Sequence, residues 1–128
     1  MDSQKSLKIL FVGFWHVGLL ISEELSAHGE HCVQTETSTE QARTILSRDS
    51  QSFDLLITGN RIQEEDDAGM DLVRWTKKNC PKMKTVLISV FSENEEGAFL
   101  AGADGFWHTS YDLSGLIQLI KKLFDGSL

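Results

Sequence analysis

The sequence predicts an α/β fold, a doubly wound (βα)5 three-layer sandwich on a five-stranded parallel sheet. Three observations carry that expectation. Short continuous apolar runs recur along the chain, as in strands covered on both faces. Segments with apolar residues at helical spacing lie between them. No repeat, low-complexity tract or Pro/Gly/Ser-rich linker divides the 128 residues, and Pro81 is the only proline, so one domain over 1–128 is expected.

Leu7 to Val12 is the first strand-like run. Val17, Leu20, Ile21, Leu25 and His28 follow at helical spacing, and Gly29 offers a stop. His31 to Glu36 reads as a second strand. Ser38 and Gln41 have the spacing of a capping box, opening a helix that carries Ala42, Ile45 and Leu46. Phe53 to Thr58 is the third apolar run. A polar loop leads into a helix with Leu72, Val73 and Trp75, which ends near Asn79 and Pro81. Thr85 to Val90 is the fourth strand. Ser92 and Glu95 suggest a second capping box, before a short helix with Phe99 and Leu100. Gly105 to His108 is a short fifth strand. Asp112 is placed to cap a last helix, whose apolar positions are Leu116, Ile117, Leu119, Ile120 and Leu123. Right-handed crossovers between parallel strands put helices on both faces of the sheet. The binding region of such a fold is formed by the loops at the carboxyl ends of the strands, here after Val12, Thr58, Val90 and His108.

The composition is 41% hydrophobic and 24% charged, ordinary for a soluble globular protein. A net charge of −7 argues against nucleic acid as a partner and against anionic membranes. Ile9 to Ile21 is the most apolar stretch. Gly13, His16 and Gly18 interrupt it, no small-residue cleavage site follows, and it is too short to span a bilayer. A cytoplasmic protein is expected. Cys32 and Cys80 match no metal or redox spacing, so two buried free thiols are expected rather than a disulfide.

Five segments, in this order and spacing, resemble the receiver domains of bacterial two-component response regulators: Lys8 to Val12, Phe53 to Thr58, Gly69 to Val73, Val86 to Ile88 and Ala101 to Phe106. The similarity runs from about Lys8 to Phe124. It implies a flavodoxin-like strand order of 2-1-3-4-5. It also implies functional positions, and this sequence fills them with other residues. Where the family places paired acidic residues that hold a divalent cation, Gly13 and Phe14 stand, followed by Trp15. Gly59 stands at the phosphoaccepting aspartate. The serine or threonine ending the fourth strand aligns with Val90, or with Ser89 after a shift of one residue. The lysine–proline pair after the fifth strand is Thr109-Ser110. Phosphoryl transfer to a carboxylate needs that carboxylate, a hard cation with oxygen ligands and a positive group. Gly59, Gly13, Phe14 and Thr109 supply none of them. The resemblance thus implies a degenerate pseudo-receiver, with no enzymatic activity, cofactor or metal expected.

Other residues also carry groups with possible chemistry. Glu64, Glu65, Asp66 and Asp67, with Glu93, Glu95 and Glu96, bring negative charge to one end of the sheet. They read as a solvated loop and a helix start, or as a displaced cation site or a docking surface for a basic partner; in each case they repel phosphate and nucleotides. Phe14 is expected to fill the volume left at Gly59, the alternative being an aromatic-lined pocket for an apolar ligand. His16 and His108 are too few for a metal site, and Ser89, His108 and Asp112 form no recognisable triad motif. Phe14-Trp15-His16-Val17-Gly18-Leu19 breaks the D-x-H-x-x-G pattern of cobalamin-binding domains at both ends. In the receiver family, an aromatic at the position of Phe106 reports phosphorylation to the surface of the fourth helix, fifth strand and fifth helix. Phe106 and Trp107, on the fifth strand at the sheet edge, are therefore the expected binding residues for a protein partner or a homodimer. The function expected is a phosphorylation-independent signalling module, the alternative being a small-molecule sensor.

Overall fold

The computed structural model describes residues 6–29, 31–109 and 112–125. Five strands and five helices alternate: β1 (Lys8–Val12), α1 (Trp15–Ala27), β2 (Cys32–Glu36), α2 (Thr39–Asp49), β3 (Leu55–Gly59), α3 (Ala68–Asn79), β4 (Lys84–Ser89), α4 (Asn94–Ala101), β5 (Gly105–His108) and α5 (Ser114–Asp125). The strands form one parallel sheet in the order β2-β1-β3-β4-β5. This is the doubly wound α/β architecture and strand order expected.

Period-2 alternation splits the sheet residues between two cores. Ile9, Phe11, Leu55, Ile57, Val86, Ile88 and Trp107 face α1 and α5. Leu10, Val12 and Leu56 face α2 and α3 on the opposite side, where Leu87 joins Val73 of α3 and Ala98 and Ala101 of α4. Both faces are covered, which is why the runs are apolar throughout rather than alternating with polar residues.

Local signals behave unevenly. The Ser38 hydroxyl accepts the N–H groups of Glu40 and Gln41 at 3.1 and 3.2 Å, so the first capping box forms its N-terminal half. Asp112 Oδ1 accepts the Ser114 N–H at 3.0 Å, and hydrogen bonds from Ser114 hold its carboxyl below the usual range. The Ser92–Glu95 box does not form. There α4 begins at Asn94 behind Glu93, which makes no side-chain capping bond, and the Glu95 N–H binds the backbone carbonyl of Ser92. On α1 the buried positions are Gly18, Ile21 and Leu25, whereas Leu20 and His28 are exposed. Cys32 is exposed, contrary to the expected burial, because it begins the edge strand β2; Cys80 is buried, and the two form no disulfide. Among the described residues no helix is long and apolar enough to cross a membrane.

Candidate functional site

The loops following β1, β3, β4 and β5 meet at the carboxyl end of the sheet. Gly13 leaves β1 with its N–H donated to the Glu36 carbonyl at 3.0 Å, which ties the loop to the end of β2. Phe14 then caps α1, its carbonyl accepting the N–H groups of Val17 and Gly18. That role turns its side chain outward, 69% exposed, with its ring centroid 5.7 Å from that of His16. Phe14 therefore does not fill the space beside Gly59. A Cβ at Gly59 would meet Ile62 Cδ1 at 3.6 Å and the Val12 carbonyl at 4.0 Å, both ordinary contacts. Ile62 is buried there, held by a backbone bridge to Glu65.

The strand-end position of β4 belongs to Ser89, not to Val90. Ser89 pairs with His108 in the sheet register, while Val90 lies beyond the strand and is 60% exposed. The Ser89 hydroxyl accepts the Phe91 N–H at 3.0 Å and the Asn94 Nδ2–H at 2.8 Å, pinning the turn into α4. The Thr109 N–H donates to the Ser89 carbonyl at 2.8 Å and brings the end of β5 alongside. Ser110 lies outside the described residues.

Gly13, Phe14, Gly59, Ser89, Val90 and Thr109 together line one open cleft of about 690 Å³. Buried Phe11 and Ile88 form its floor, and Phe91 adds a second exposed ring to its wall. The site expected to be plugged is thus concave. Asn60, Phe91 and Asn94 also line it and were not anticipated. Their signal in the sequence was position alone, one residue or a few beyond a strand end.

The acidic loop divides. Glu64 and Glu65 do not line the cleft, but Asp66 and Asp67 do, as does Glu93 from the loop after β4. Asn60 holds the loop: its Oδ1 accepts the Met70 N–H at 3.2 Å and its Nδ2 donates to Asp67 Oδ1 at 3.0 Å. Asp66 pairs with Arg61 at 3.4 Å. Gln63, Glu64 and Asp67 all carry positive φ, of 53°, 65° and 63°. Gly69 permits the return into α3: its N–H donates to the Asn60 carbonyl at 2.7 Å, and any Cβ there would collide with the Gly59 carbonyl. Among the described residues no three His, Cys, Asp or Glu side chains converge as a metal site.

The remaining candidates do not assemble with this cleft. His108 Nε2 bonds to the Val90 carbonyl at 2.9 Å, the Ser89 hydroxyl serves Phe91 and Asn94, and Asp112 caps α5, so no triad forms. Trp107 does not lie on the surface, where the sequence reading places it. It is 8% exposed and belongs to the core beneath α5, where a Cβ at Gly115 would lie 3.1 Å from its Nε1. The cause is that an edge strand of a doubly wound sheet still has both faces covered, so Trp107 shares the α5 side with Gly105. Phe106, on the other side, is half-buried against the core of α3 and α4. The apolar surface near it lies on α4, where Phe99 is 47% and Leu100 80% exposed.

Solved structures of receiver domains share this architecture. A response regulator receiver domain protein from Clostridium thermocellum is 23% identical, with a TM-score of 0.81 over 94% of this chain and 95% of that chain. The response regulator TrrA from Thermotoga maritima, in complex with Mg2+ and BeF, is 20% identical, with a TM-score of 0.79 over 94% of this chain and 100% of that one. A LuxR family DNA-binding response regulator from Silicibacter pomeroyi is 23% identical, with a TM-score of 0.79 over 94% and 93%. No family model matches the sequence, and no curated protein matches it either. The chain has the response-regulator receiver fold.

Proposed function

We propose that this domain is a pseudo-receiver, a signalling module that works by binding rather than by phosphorylation. One observation carries the reading: the residue ending β3, where the receiver resemblance calls for the phosphoaccepting carboxylate, is Gly59. Gly13 and Phe14 beside it offer no side-chain oxygen to a cation, and Thr109 offers no ammonium. The partner would be a protein or a second copy of this chain. The face of α4, β5 and α5 remains the proposed surface, with exposed Phe99 and Leu100 beside Phe106 in place of buried Trp107. The net charge of −7 disfavours nucleic acid, and two cysteines that form no disulfide suit a reducing compartment such as the cytoplasm.

The test is intact mass after incubation with acetyl phosphate and magnesium. No added phosphoryl group is expected, and a stoichiometric gain of one would overturn the reading. The Gly59→Asp variant is expected to remain unphosphorylated as well. Its Cβ has room, but the carboxylate would lack a cation and a positive partner, and desolvation would lower the melting temperature.

A second reading is favoured by the cleft itself: its volume of about 690 Å³ lies within the range of about 300–1,000 Å³ typical of small-molecule sites. A sensor function would place the ligand where the degenerate residues converge.

A further inference from the structure

The cleft has a chemical character that narrows its ligand. Its walls present apolar surface to solvent, with Phe14 at 69%, Val90 at 60% and Phe91 at 58% exposure. Exposed aromatic side chains on a concave surface gain by covering an apolar body. Its rim is negative. Asp66 is offset by Arg61, which leaves Asp67 and Glu93 as the other acidic residues lining the cleft. Asp67 is oriented by the Asn60 amide, and Glu93 makes no capping bond to α4. The start of α4 would ordinarily favour an anion, but Glu95 and Glu96 in its first turn counter that field.

We propose that the cleft binds a small organic cation, an ammonium group carried on an aryl or alkyl body. The apolar part would lie between Phe14 and Phe91 over the floor of Phe11 and Ile88, and the ammonium would face Asp67 and Glu93. The two aromatic rings would add cation–π attraction. Phosphorylated ligands are rejected by the same charges. A bare metal ion lacks a cage, since no three potential ligands converge among the described residues. This inference rests on the phosphorylation-independent reading, because a phosphoacceptor cleft would have to admit an anion.

The experiment uses the whole chain labelled with 15N. Phenethylammonium, neutral 2-phenylethanol and anionic 3-phenylpropionate are titrated separately, and amide shifts are followed. The ammonium is expected to shift Gly13, Gly59 and Ser89 and to bind roughly tenfold more tightly than the carboxylate, as two partly solvated ion pairs allow. The double variant Asp67→Asn, Glu93→Gln should lose most of that preference while binding the neutral alcohol unchanged. Glu23→Gln, outside the cleft, should alter nothing. Equal binding of all three probes, tighter binding of the anion, shifts confined to other residues, or no saturable shift would each overturn the proposal. The acetyl phosphate mass measurement on the same sample separates the two readings. A phosphoprotein defeats the pseudo-receiver, whereas an unmodified protein that ignores the ammonium defeats only the ligand assignment.

Discussion

Trp107 illustrates how one residue changes meaning between sequence and structure. A Trp on a short edge strand invites an interface role, yet strand alternation puts it on the side of Gly105, under α5. Gly115 in the first turn of α5 leaves the room its indole takes. Its replacement is therefore a matter of stability: Trp107→Ala should cost about 3–5 kcal/mol, as large-to-small core substitutions of this kind do. Chemical denaturation would measure it, and a loss under about 1 kcal/mol would contradict the packing described. Phe14 changes in the opposite direction. The sequence offers a large apolar residue beside a glycine, but serving as the cap of α1 turns it outward, and Ile62 sits beside Gly59 instead.

Among the elements, α4 departs most from its sequence signals. It is eight residues long, opens without a side-chain cap, and buries only Ala98 and Ala101. Its larger side chains, Phe99 and Leu100, are left in solvent. If this face meets a protein or a second copy, Leu100→Glu should abolish or strongly weaken association in sedimentation or co-purification. Its melting temperature should stay nearly constant, since exposed substitutions usually change stability by no more than about 0.5 kcal/mol. Association that survives the change would remove α4 from the interface. Capping was legible where one hydroxyl could reach its own helix, as at Ser38. It was not legible at Ser92, because Asn94 is bonded from β4 by Ser89, a partner five residues away on another element.

At the scale of the molecule, the two ends of the sheet differ. The carboxyl end holds the cleft, and the amino end is tied by polar side chains. Asp54 Oδ2 accepts the Lys8 N–H at 2.9 Å, and His31 Nδ1 accepts the Leu7 N–H at 3.0 Å. Burial, and secondarily the nearby His28, holds His31 below the usual histidine range. The native state thus binds this proton less readily than the unfolded chain. Its stabilising contribution is complete above the unfolded value of about 6.5 and is lost as pH falls through the lower native value. Melting temperature should consequently decline on acidification below about pH 6.5, and His31→Gln should flatten that decline. An unaltered pH profile in the variant would show that His31 does not carry the linkage.

The sequence by itself determined the architecture and the residue types available at the strand ends. Continuous apolar runs at strand length and helical spacing between them are local patterns, and only a sheet covered on both faces buries them all. Gly59 lacks a carboxylate in any conformation. The tertiary structure alone decided what stands at that site instead. Whether Phe14 plugs it, which residue ends β4, and which acidic groups reach it depend on side-chain directions set by packing between elements distant in sequence. Asp67 and Glu93, 26 positions apart, share one cleft because β3 and β4 are neighbours in the sheet. Their juxtaposition is a property of the register between strands, which no local pattern encodes.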